Sequence, residues 1–115
     1  MIEKHIHADL AAGRWNTLSL AEQLANIGSE VNRSISSYEK SDLSRLEKAI
    51  DRTLELFDLT LADKRWKDRL KEISRSRELF CFLFFDPKRF TNLRHEMNLL
   101  NEYFLQFAIF ARAKK

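Results

Sequence analysis

Apolar residues recur at alternating spacings of three and four along four separate stretches of the chain. In the first they are Leu20, Leu24, Ile27, Val31, Ile35 and Tyr38; the other stretches run from Leu43 to Leu61, from Trp66 to Phe84 and from Leu93 to Ala111. That spacing follows the turn of an α-helix and gathers each set on one side of it. A helix with one apolar side must bury it, and four such helices joined by short polar breaks can bury one another's in a bundle. The 115 residues include only two glycines and one proline, which leaves the stretches uninterrupted and argues against a sheet or a disordered chain. One domain over residues 1–115 is expected, with a core large enough to need no disulfide or metal staple.

The breaks carry helix stop and start signals. Ser19 with Glu22 three residues later makes a capping box, in which each side chain satisfies the other residue's backbone N–H, so a first helix is expected over about 19–38. Glu39, Lys40 and Ser41 form a polar turn, and Ser41 or Asp42 caps a second helix over about 42–62. Asp63 is placed to cap a third over about 63–85, which ends at Asp86-Pro87 because a residue before proline avoids helical geometry. Thr91 or Asn92 opens a fourth over about 92–112, and Arg112, Lys114 and Lys115 put positive charge where the helix dipole favours it. Residues 1–16 keep no period; Trp15, after Gly13 and Arg14, reads as part of an N-terminal capping arm whose indole docks on the bundle. Helices of matched length with short connections predict an all-α, antiparallel up-down-up-down four-helix bundle.

Composition narrows the function classes. The chain is 44% hydrophobic and 32% charged with a net charge of +3, too mild a basic excess to point to nucleic acid. No run reaches the eighteen or so apolar residues of a membrane span. Glu3, Lys4, His5 and His7 stand where a signal peptide needs its apolar segment, and the single Cys81 can form no intrachain disulfide. A reducing, cytoplasmic location is expected. A carboxylate-bridged metal centre in a bundle needs Glu-x-x-His pairs that face the core, and no Glu precedes a His by three here. His5 and His7 with Glu3 and Asp9 are a thin terminal set, and Gly13 and Gly28 cannot build a phosphate-cradling loop. Neither a metal nor a cofactor is expected.

Two helices carry more pattern than their stripes. On the first, Ala21, Ala25, Gly28 and Asn32 line one flank, all small enough to admit a neighbouring backbone closely. The opposite face carries Glu22, Asn26, Ser29, Glu30, Arg33 and Ser37, read as a solvated face with a Glu30–Arg33 pair. Glu22, Asn26, Glu30 and Arg33 are also the candidates for a polar recognition stripe. On the third, Lys64, Arg65, Lys67, Arg69, Lys71, Arg75 and Arg77 are interspersed with Asp63, Asp68, Glu72 and Glu78, the pattern of a salt-bridged solvent face rather than of a strip for RNA phosphates. Arg77 lies within the apolar stripe, between Ile73 and Phe80. It must reach outward or pair with Glu30 or Asp58 as a structural polar layer.

The run Leu79-Phe80-Cys81-Phe82-Leu83-Phe84-Phe85 is apolar on every side of a helix, whereas a bundle buries one broad face of each member. The fourth helix shows the same excess, with Leu99, Tyr103, Leu105, Ile109 and Phe110 off its stripe. Ile6, Leu10 and Trp15 of the arm can cover part of it. The remainder marks an association surface, with Leu79, Phe82, Leu83, Phe85, Tyr103, Ile109 and Phe110 as its candidate residues. A self-complementary surface of this kind gives a two-fold homodimer.

The stretch Ser19 to Val31, reading SLAEQLANIGSEV, resembles the opening helix of a small family of uncharacterised prokaryotic all-helical proteins. Leu54 to Thr60, Arg69 to Glu72 with Arg75, Arg77 and Glu78, and Tyr103-Phe104 with Phe107-Ala108 and Ala111-Arg112 resemble its later helices. The resemblance implies the all-helical fold and brings no activity with it. The chain is more loosely similar to the helical substrate-binding partners of minimal nucleotidyltransferases and to their ribonuclease relatives. Those relatives carry an Arg, four to six residues and then a His near the start of the last helix, matched here by Arg89 and His95. The similarity would give Arg89 a phosphate to hold and His95 acid–base work on a ribose hydroxyl. Phe90 replaces the usual polar residue after the Arg, and His95 falls opposite the core stripe, where exposure is the ordinary outcome.

The expectation is therefore a non-enzymatic helical bundle that acts through protein–protein contact, as a homodimer built on the third and fourth helices. The alternatives are a helical partner subunit in a nucleotidyltransferase-type toxin–antitoxin pair and, behind it, a ribonuclease using Arg89 and His95.

Overall fold

A computed structural model describes residues 13–113. Among them are four α-helices, α1 (Leu20–Glu39), α2 (Leu43–Leu61), α3 (Leu70–Phe85) and α4 (Leu93–Ala113), with 3-10 turns at Arg14–Thr17, Lys64–Arg69 and Pro87–Arg89. No strand occurs among the described residues. Cross-helix pairs set the directions. Ser34 meets Thr53 while Gln23 meets Asp63, so α1 and α2 run antiparallel; Asn32 with Asn101 and Glu39 with Arg94 make α1 and α4 antiparallel as well. α3 closes the square through Arg77 to Asp58 of α2 and Tyr103 of α4 to Glu72. The fold is an all-α up-down-up-down four-helix bundle with α1 diagonal to α3.

The helix ends follow the signals in the sequence. Both bonds of the Ser19–Glu22 capping box are present, at 2.9 and 3.1 Å. Asp42 accepts from the backbone N–H of Arg45 at 3.2 Å, and Asn92 from that of His95 at 3.1 Å. The third helix differs from expectation. Asp63 does cap, accepting from the Arg65 N–H at 3.1 Å, but what it caps is a 3-10 turn, and α3 proper starts at Leu70. The break lies at Trp66, whose φ of −105° and ψ of 23° leave helical geometry. Its indole is drawn to Gln23, and Arg65 folds back on Asp63, so side-chain bonds override the continuing apolar period.

α1 is buried on more than one side because α2 and α4 flank it. Against α4, the small flank admits a close approach: a Cβ added to Gly28 would lie 2.6 Å from the Cβ of Phe104. Against α2 the seam is polar. Among the described residues, the buried polar ones, Gln23, Glu30, Ser34, Ser37, Thr53, Thr60 and Asp63, all belong to α1, to α2 or to the second residue beyond α2's end. Ser34 and Thr53 donate to carbonyls one turn back on their own helices, Glu30 O at 2.9 Å and Ala49 O at 2.6 Å, which permits burial without an exchange partner. Glu30 and Ser37 thus correct the reading of a wholly solvated face, since both are buried against α2. The Glu30–Arg33 pair forms as expected, at 2.9 Å.

The aromatic side chains stack through the core as a connected column. Tyr38 meets Phe84, Phe84 meets Phe80, Phe80 meets Phe57 and Phe57 meets Phe104, and Phe104 and Phe107 both touch Tyr103, with ring centroids 4.9–6.3 Å apart. These distances suit the edge-on and tilted packing that aromatic quadrupoles favour. Trp15 closes one end of the core. It is 1% exposed, and its indole N–H donates to Thr60 Oγ1 at 3.0 Å, so residues 13–18 are anchored to α2. Ile6, Leu10, His5, His7, Lys114 and Lys115 lie outside the described residues. No helix among the described residues is long and apolar enough to cross a membrane.

Candidate functional site

The bundle end that holds the start of α1 and the finish of α4 concentrates the unusual side chains. Gln23, fully buried on α1, donates from Nε2 to Trp15 O at 2.9 Å and to Asp63 Oδ2 at 3.0 Å, and accepts from Trp66 Nε1 at 2.9 Å. Asp63 in turn receives two bonds from the Arg65 guanidinium, at 3.0 and 2.7 Å, and the same guanidinium reaches Leu18 O at 2.7 Å while stacking over the Trp66 ring. Arg65 holds the Asp63 carboxyl down to about 2, and Asp63 raises the Arg65 guanidinium above its ordinary value. The knot ties the N-terminal turn, α1 and the α2–α3 connection together. Every polar group of Gln23 is engaged in it, the condition under which a buried network stabilises.

Beside the knot lies a cleft of about 570 Å³ between Leu20 and Glu22 of α1, Trp66 and Arg69 of the connection, and Phe110 and Ala111 of α4. Arg69, one of its lining residues, begins a second relay. Arg69 donates to Glu72 at 2.9 Å and Tyr103 donates its hydroxyl to the other Glu72 oxygen. Arg69, helped by Tyr103, lowers the Glu72 carboxyl. Burial and the bond to Glu72 push Tyr103 up to about 12. An ionised Glu72 and a protonated Tyr103 act as acceptor and donor near neutral pH, and the pair ties α3 to α4.

The third element of this end is the outer half of α4. From Tyr103 to Ala111 it carries no charged residue. Phe104, at its inner side, is buried, but Leu105, Ile109 and Phe110 are each more than half exposed. Of the eight large hydrophobic residues that stand exposed among the described residues, four, counting Leu99, belong to α4. On the other helices they are scattered, as Tyr38, Leu43, Leu70 and Phe85. α4 is therefore the helix whose water-facing side departs most from the rule for a bundle surface.

The residues anticipated from sequence divide accordingly. Leu83 is fully buried and belongs to the core, which removes it from the association surface. Leu79 and Phe82 are half-buried, Phe82 lying under the Arg89 guanidinium at 3.6 Å. Tyr103 is half-buried and bonded to Glu72. Phe85, at the end of α3, is exposed but stands at the opposite end of the bundle from Ile109 and Phe110, since α3 and α4 run antiparallel. The seven residues thus form no single patch. The α4 residues Leu99 and Leu105 extend the exposed set, and their place off the apolar stripe was the signal for them.

The polar stripe of α1 is also divided. Glu22 serves the capping box, Asn26 donates to Glu22 O at 2.8 Å, Glu30 is buried and Arg33 is exposed. One oxygen of Glu30, Oε1, is buried without a hydrogen-bond partner. Arg77 reaches outward and pairs with Asp58 at 3.1 Å, both partly exposed, while Glu30 pairs with Arg33. The structural layer is thus an Arg77–Asp58 surface pair without Glu30. Arg89 is held by Asp86 at 3.2 Å as well as by Phe82, and His95 is exposed in the first turn of α4; no hydrogen bond or ion pair joins them. Among the described residues no cluster of His, Cys, Asp and Glu is fit to hold a metal ion. Comparison of the chain with protein-family models, curated proteins and solved structures finds no match to any of them.

Proposed function

We propose that this chain is a non-catalytic helical module that works through protein contact, with the uncharged outer half of α4 as its contact face. The observation that carries this reading is the exposure of Leu105, Ile109 and Phe110 within nine consecutive uncharged residues of one helix. Covering such side chains removes apolar area from water at roughly 25 cal/mol per Å², and a contiguous exposed apolar face is the usual mark of a protein contact surface. The titratable groups support the same reading. Glu72 and Tyr103 are locked to each other, Asp63 to Arg65, and Arg89 to Asp86 and Phe82, which leaves the acid–base chemistry of a ribonuclease without an assembled pair.

Ile109→Glu tests the proposal. The position is on the water-facing side of α4, so the circular dichroism spectrum and thermal midpoint should stay close to wild type. Association should be lost, read by light scattering for self-association and by co-purification from the host for a foreign chain. Associations that persist unchanged in Ile109→Glu would overturn the reading.

A further inference from the structure

We infer that the occupant of the α4 face is a second copy of this chain, docked antiparallel across a two-fold axis so that Glu102 of each copy meets Arg112 of the other. This inference rests on the reading of α4 as a contact face and supplies its partner.

The outer side of α4 presents Glu102, Leu105, Ile109 and Arg112, all exposed, at spacings of three, four and three. Residues so spaced form one stripe along a helix. The stripe reads acid, apolar, apolar, base, and its spacing is the same from either end. Laid against an antiparallel copy of itself, it places Leu105 against Ile109 of the second copy, Ile109 against Leu105, and the two charges against their opposites at both edges. Laid parallel and in register, it would put Glu102 against Glu102 and Arg112 against Arg112. The charges therefore select the antiparallel arrangement, and a two-fold axis generates it because each surface is its own complement.

The surroundings agree with the seam. Asn98, one turn before Glu102 on the same line, and Gln106, beside the stripe, are both exposed and can hydrogen-bond without imposing a charge, while Phe110 and Leu99 carry the apolar surface round towards α3. The apolar centre with charged ends reproduces the core-and-rim organisation of specific interfaces. A seam of one helix on its copy is small as interfaces go, so the dimer should dissociate in the micromolar range.

The test is charge exchange read by light scattering and sedimentation on the full chain, with helicity checked by circular dichroism. Glu102→Arg makes both edge pairs Arg–Arg, and Arg112→Glu makes both Glu–Glu. Each single variant should raise the dimer dissociation constant by about tenfold or more. An equimolar mixture of the two should associate again as a heterodimer, because each edge then pairs Arg with Glu, and the double variant Glu102→Arg/Arg112→Glu should self-associate like wild type. A wild-type dimer that ignores both single exchanges would overturn the antiparallel register and leave the contact face standing. A wild-type monomer would overturn the second copy as occupant. The contact reading itself fails only if, in addition, no foreign chain is found whose binding Ile109→Glu abolishes.

Discussion

Replacing Gly28 with alanine should lower stability, although the same change in an open helix would raise it. In an exposed helix interior alanine is more favourable than glycine by about 1 kcal/mol. At position 28 the added methyl would stand 2.6 Å from Phe104 Cβ and 3.4 Å from its Cγ, whereas carbon atoms rest about 3.5–4.0 Å apart. The near atom is bonded to the α4 backbone and cannot swing aside, so α1 and α4 must separate by about 1 Å at the tightest point of their seam. Overpacking of this kind costs about 1–3 kcal/mol, which exceeds the propensity gain and leaves a net loss of about 1 kcal/mol. For a domain near this size that is a fall of about 5 °C in the thermal midpoint, read by circular dichroism or calorimetry. Phe104→Leu provides a discriminating background, because leucine keeps the Cβ that makes the clash. The cost of Gly28→Ala should therefore persist in that background. A midpoint that rises on Gly28→Ala, or a cost that vanishes with Phe104→Leu, would refute the close backbone approach.

Other expectations rest on the knot at the end of α1. Asp63 has its folded pKa depressed from 3.8 to about 2, so the stabilisation it contributes is fully present above about pH 4 and is lost as the pH falls towards 2. Because Arg65 is partly solvated, that contribution should be about 1–2 kcal/mol, and denaturant titrations should show Asp63→Asn losing this part of the acid dependence; an unchanged pH profile would count against the Asp63–Arg65 pair. Gln23→Leu is apolar for polar at a fully buried position, yet it should destabilise by about 2–4 kcal/mol because Trp15 O, Asp63 and the Trp66 indole lose their partner. A neutral or stabilising result would show that these groups find others.

The bundle was legible because its signals are local. The Ser19–Glu22 box, Asp42 and Asn92 each act on backbone groups three residues away, and the small flank of α1 stated in advance that a neighbour would come close. What escaped depends on contacts distant in sequence. Trp66 continues the apolar period faultlessly, and a bond to Gln23, 43 residues earlier, joins the Arg65–Asp63 contacts in breaking the helix there. Glu30 and Ser37 look like surface residues on a helix considered alone, and are buried because α1 has α2 beside it as well as α4. The aromatic excess of α3 proved largely internal, absorbed in the column through Phe80 and Phe84, while that of α4 stayed outside. Periodicity locates the apolar side of a helix. It does not say how many neighbours that helix has.

The most direct test of the central claim is the mass of the untagged full chain in solution, measured by light scattering behind size exclusion across the micromolar range. A contact face on α4 occupied by a second copy predicts a mass that rises with concentration towards twice the 13.7 kDa of one chain, and that stays at one chain for Ile109→Glu. A wild-type mass fixed at 13.7 kDa across that range would contradict it.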